Sequence, residues 1–110
     1  MTGKKLGVIK GTLELVILKT LGAQTELHGF EILESINRAT EGQLDIEEGA
    51  LYPALHRMLQ RGWLESDWAI SEKGRRARYY RLSRDGRKAL RDEAARWDRY
   101  VVAVERLGDA

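Results

Sequence analysis

The stretch EEGALYPALHRMLQRGW, residues 47–63, carries a helical apolar stripe of Leu51, Leu55, Met58 and Leu59, backed by Ala54, with a proline set inside it. Proline lacks the N–H that a helix interior uses, and its ring clashes with the preceding turn. The two patterns agree if the helix begins near Glu48 or Gly49. The first N–H groups of a helix have no intrahelical acceptor, and Pro53 then falls in or just after the first turn, where its missing donor costs little. Glu47 and Glu48 place negative charge where the helix dipole favours it, and Gly62 is the expected stop before Trp63. The side opposite the stripe is small or flat, with Gly49, Ala50, Tyr52 and Pro53, and continues in the polar residues His56, Arg57 and Gln60.

Upstream, GTLELVILKTLG is apolar nearly all round, so a helix there needs cover on more than one side. Part of that cover is expected from a second subunit. Gly22 is its expected stop. After the loop GAQTEL, the segment HGFEILESINRAT spaces Phe30, Leu33, Ile36 and Asn37 as one face of a second helix, with His28 as a cap or buried hydrogen-bond partner. Downstream of Trp63 the period shortens. WLESDWAI and RARYYRLS read as strands joined by the glycine-centred turn SEKGRR, a β-hairpin with a basic tip. Ser83 is the expected N-cap of a last helix from about Arg84 to Leu107, in which Leu90, Ala94, Trp97, Val101 and Val104 recur four and three residues apart. That spacing is a seam for another helix.

Helix, helix, helix, strand, basic turn, strand is the order of a winged helix-turn-helix. The fold expected is mainly α with a small β-hairpin, one domain over residues 1–110, its winged part at about 9–82 and a long dimerisation helix at about 83–108. In such a fold the third helix presents its N-terminal half to the DNA major groove and the wing reaches the backbone or minor groove. The bulk composition agrees with a small soluble domain: 110 residues, 33% charged and 43% hydrophobic, with no cysteine and two histidines. No apolar run suits a membrane span or a signal peptide, so a cytoplasmic protein is expected. Nothing suggests a cofactor or metal, and no nucleophile is paired with a base, so an enzyme is not expected. Net charge is only +2, yet residues 71–100 hold 11 lysines and arginines against 5 acids. This surplus favours a polyanionic partner, with a solvated helix face as the alternative for the part beyond Arg84. Lys73, Arg75, Arg76 and Arg78 crowd the wing turn, where they are expected on phosphates of double-stranded DNA.

KGTLELVILKTL, HGFEI, EEGALYPALHRMLQRGW and RRARYYRLSRDGRKAL together resemble, in order and spacing, the signature segments of the PadR family of transcriptional regulators. The resemblance covers about residues 9–107 and is closest to the short, single-domain branch. It implies a homodimeric repressor on an inverted-repeat operator, with dimer contacts from the first helix (Leu13, Val16, Ile17) and the seam of the last. By position, Tyr52 and Pro53 resemble the family's recognition-helix pair, and Arg75 and Arg76 its wing-tip cations. In some short members an aromatic residue of the last helix sandwiches a planar drug at the dimer centre. Trp97 holds the similar position, although burial of its indole in the interface would equally explain it. With its last residues soon after Leu107, the sequence is expected to group with the short branch rather than with the phenolic-acid-responsive members and their larger C-terminal region, so phenolate sensing is not expected. The alternative function is a protein-interaction module on the same scaffold without DNA, which fold alone does not exclude.

Overall fold

The computed structural model describes residues 6–9 and 11–108; Lys10 and the ends of the expected domain, residues 1–5 and 109–110, lie outside the described residues. The elements are α1 (Leu13–Gly22), β1 (Leu27–His28), α2 (Gly29–Ala39), α3 (Glu48–Gln60), β2 (Leu64–Ile70), β3 (Arg76–Leu82) and α4 (Arg84–Glu105). The helix order, the β2–β3 hairpin and the long last helix follow the sequence pattern. The sheet holds one strand more than expected. β1 joins the last residue of the segment read as a loop, Leu27, to the first of the segment read as the second helix, His28, and pairs antiparallel with β3, Leu27 opposite Tyr80 and His28 opposite Tyr79, giving the order β1-β3-β2.

The core is one cluster. Ile17, Leu18 and Leu21 of α1 meet Ile32 and Ile36 of α2, the α3 stripe of Leu51, Ala54, Leu55 and Met58, and Leu64, Tyr80 and Leu82 of the sheet. α1 is apolar all round because α2, α3, β3 and α4 of its own chain pack on it. Ile17, expected in the dimer interface, is therefore fully buried within the protomer and has no surface to offer a partner. Gly22 ends α1 without the left-handed conformation expected of a stop. It is small for another reason: a Cβ there would meet the Leu90 side chain of α4.

α3 ends as the sequence requires. Gly62 takes φ of 77°, its N–H bonds to the Leu59 carbonyl and that of Trp63 to the Met58 carbonyl, both at 3.0 Å. This pair of bonds satisfies carbonyls that the helix end would otherwise strand. α4 starts on the same turn. Ser83 caps it by accepting from the Gly86 N–H at 3.0 Å, while the Ser83 N–H donates to the Trp63 carbonyl at 2.9 Å. At 22 residues α4 is about 33 Å long, and only Gly86 and Ala89 in its first turns are buried. Among the described residues, no helix is long and apolar enough to cross a membrane.

Candidate nucleic-acid interface

α3 divides cleanly between core and surface. Leu51, Ala54, Leu55 and Met58 are buried, whereas Gly49, Ala50, Tyr52, Pro53, His56, Arg57 and Gln60 are all exposed. The helix begins at Glu48, with Glu47 as its cap position, and its first i→i−4 bond runs from the Leu51 N–H to the Glu47 carbonyl at 3.0 Å. Pro53 lies two residues beyond that donor, so the helix start does not fully excuse it. Its missing N–H leaves the carbonyl of exposed Gly49 without a helical donor, open to water or a ligand.

Tyr52 is 44% exposed, and its position is set by α2. Its ring rests on Gly29, the first residue of α2, so closely that a Cβ at Gly29 would overlap the phenol. Gly29→Ala should therefore swing the Tyr52 ring off its seat. Because the obstacle is the free end of a side chain, the fold should survive with a loss of about 1 kcal/mol or less. If Tyr52 contacts DNA as proposed below, Gly29→Ala should weaken binding about as much as Tyr52→Ala does. Affinity unchanged in both variants would remove Tyr52 from the interface.

α2 is capped as the sequence suggested. The His28 Nδ1 accepts from the Glu31 N–H at 3.3 Å and Glu31 Oε1 accepts from the His28 N–H at 3.1 Å, a reciprocal capping box. The imidazole also meets Tyr79 edge-on at 5.3 Å. Partial desolvation, then the carboxylates of Glu31, Glu72 and Glu26, push the Tyr79 phenol above its usual range. The apolar face of α2 differs from expectation. Ile32 and Ile36 are buried, whereas Phe30 and Asn37 are exposed.

The wing is a regular ladder from Leu64–Leu82 to Ile70–Arg76. Its tip closes with the Gly74 N–H on the Ser71 carbonyl at 2.9 Å, Gly74 at φ 75°, and the Ser71 N–H on the Arg75 carbonyl at 2.7 Å. Lys73, Arg75, Arg76 and Arg78 are all exposed. Arg78 donates from Nε to Ser66 Oγ at 2.8 Å and lies over Tyr80, whose phenol burial pushes up while Arg78 draws it down. Arg76 lies over the Trp68 ring at 4.5 Å.

Two other cations are already engaged. Arg81 binds Asp67 at 2.7 Å, Glu65 at 3.2 Å and Glu26 at 3.8 Å, which ties the outer face of the sheet together and holds its guanidinium more firmly charged. It adds to the sequence count of positive charge but not to free positive surface. Arg57, expected on the groove side of α3, pairs with Glu14 of α1 at 3.3 Å.

Tyr52 of α3 and the inner face of the wing border one cleft of about 670 Å³, whereas Gly49, Ala50, Pro53, His56 and Arg57 lie outside its lining. The start of α2 supplies its third side. The signature of the transcriptional regulator PadR-like family matches residues 17–92, a span running from α1 through α3 and the wing into α4. The chain belongs to this family. Solved PadR-like and related regulators share its fold over nearly the whole chain. A transcriptional regulator from Clostridium thermocellum is 26% identical with a TM-score of 0.80, over 89% of this chain and 94% of that one. A PadR-like transcriptional regulator from Bacillus cereus is 27% identical with a TM-score of 0.76, over 92% and 95%. A PadR family transcriptional regulator from Eggerthella lenta is 30% identical with a TM-score of 0.71, over 88% and 78%. Membership sets this PadR-like chain among transcriptional regulators rather than enzymes.

Proposed function

We propose that this PadR-like regulator is a cytoplasmic repressor that binds an inverted-repeat operator in double-stranded DNA as a homodimer. The observation that carries the reading is one cleft in which Tyr52 of α3 meets the basic wing. Tyr52, Pro53 and His56 stand exposed on α3 with Gly49 and Ala50, and Lys73, Arg75, Arg76 and Arg78 stand exposed on the wing. Such a pair can enter a major groove and grip the adjoining backbone together.

The homodimer reading rests on α4. Trp97 and Val101 are half-buried, and Tyr100, Val104 and Leu107 are exposed, so the seam reaches beyond the protomer's own core. With Leu90, Ala94, Leu13 and Val16 it offers a continuous apolar face to a second copy. Trp97 stacks on Tyr100 at 6.0 Å and 28°. A planar aromatic effector inserted beside that stack would alter the seam and hence the spacing of the two α3 helices, which supplies a route to release from DNA.

Selection from a random duplex pool tests the reading. An inverted repeat should be recovered, with its half-sites about one helical turn apart. The logarithm of affinity should also fall steeply with that of salt, since each neutralised phosphate contributes a slope of about −0.9. A salt slope near zero, or no enriched sequence, would favour the protein-interaction alternative.

A further inference from the structure

Two large aromatic side chains that line the cleft from different elements are more than half exposed, Phe30 at 53% on α2 and Trp68 at 56% on β2. Neither helps to build the core. Apolar rings left in water along one cleft mark a surface that is covered when the protein works. Trp68 already has one contact. The ladder sets Trp68 opposite Arg78 and Ile70 opposite Arg76, so the Arg76 guanidinium lies over the indole diagonally, 4.5 Å from its centre.

Arg78, held by Ser66 and Tyr80, lines the same wall. Two of the four wing cations are thus fixed along the inner face. For Lys73 and Arg75, among the described residues, no side-chain hydrogen bond or ion pair is formed. A guanidinium whose plane is already set has less conformational freedom to lose when it meets a phosphate.

We propose that Trp68 is a positioning residue for Arg76, and that Trp68 and Phe30 enclose the sugar–phosphate backbone of one DNA strand as it passes from α3 to the wing. This rests on the DNA-binding reading above. The chemistry of the cleft matches that ligand part by part. A deoxyribose offers an apolar face and its phosphate an anion, and the cleft offers two apolar rings with its cations on the wing wall. The α2 wall carries acids instead, Glu31 and Glu34, of which Glu31 is engaged with His28. Phosphates are therefore drawn toward β2 and β3, and sugars toward Phe30. Glu72 at the tip is the acid on the wing side.

A double-mutant cycle on duplex affinity at fixed salt tests this, using a mixed-sequence duplex and fluorescence anisotropy. Trp68→Ala should weaken binding about fivefold, and Trp68→Phe should restore most of it, as expected for a lost and regained ring under a cation. In an Arg76→Ala background, Trp68→Ala should cost about twofold or less, because the larger part of its effect runs through Arg76 and only the ring's own contact with the backbone is left to lose. Both rings are exposed, so melting temperatures should hardly move and loss of fold cannot mimic the result. Equal binding by Trp68→Ala and wild type, or equal losses in both backgrounds, would overturn the positioning role. Unchanged affinity in Phe30→Ala would remove the α2 wall from the site. A wild type that binds no duplex would instead sink the DNA reading itself.

Discussion

Alanine in place of Gly86 should destabilise the protein by about 2–4 kcal/mol, even though the same change improves intrinsic helix propensity by about 0.8–1 kcal/mol. Gly86 lies in the first turn of α4, pressed on the turn that ends α3, and a Cβ there would run into the Trp63 carbonyl oxygen. That oxygen also accepts the Ser83 N–H at 2.9 Å, so it is fixed by backbone on both sides. Nothing can rotate aside. At Gly22 and Gly29, by contrast, a Cβ would first meet the side chains of Leu90 and Tyr52, which have somewhere to go. Gly49→Ala is the control, because a Cβ on this α3 residue meets nothing within 4 Å and should stabilise by roughly 0.5–1 kcal/mol. Thermal melts of the two variants should move in opposite directions, Gly86→Ala downward by more than about 10 °C. A Gly86→Ala protein melting at or above wild type would refute the contact.

Whatever rested on local chemistry was legible from the residues. The start and stop of α3, the Ser83 cap, the His28 cap and the basic tip each follow from a residue type at a fixed offset from an apolar pattern, and the structure holds all of them. Features set by a distant neighbour were hidden. β1 is two residues long and exists because β3 has a free edge for Leu27 and His28 to pair with; no alternation can show in so short a strand. Phe30 fits a helical face by spacing, but the face that α1 and α3 bury runs through Ile32 and Ile36, and periodicity alone could not say which side of α2 would turn inward.

Charge was the least transparent property. Arg57, Arg75 and Arg81 look alike in the sequence, yet Glu14 engages the first, two acids of β2 and one from the loop before β1 engage the third, and Arg75 stands clear. Only the fold separates a cation that braces the sheet from one available to a phosphate. The same holds for Ile17. Its apolar neighbours suggested a face for a second subunit, but α4 turns back on α1 and completes the core within one chain.

Replacing Arg75 and Arg76 together by alanine should lower affinity for duplex DNA about a hundredfold or more near 0.1 M salt. If each arginine meets one phosphate, a homodimer loses about four contacts, and the slope of log affinity against log salt should flatten by roughly 3–4. Stability should be nearly unchanged, because both side chains are exposed and Arg76 gives up only its contact with Trp68. The loss should fall equally on operator and random duplexes, since phosphate contacts position the protein without reading sequence. Tyr52→Ala should behave differently, weakening operator binding more than random binding while leaving the salt slope in place. That contrast assigns the two halves of the cleft separate tasks, backbone grip to the wing and base-edge contact to α3. Should the double-alanine protein retain wild-type DNA affinity at every salt concentration, the wing would have no electrostatic role. A partner protein bound undiminished by the double-alanine variant, with no DNA bound by either form, would establish the interaction-module reading instead.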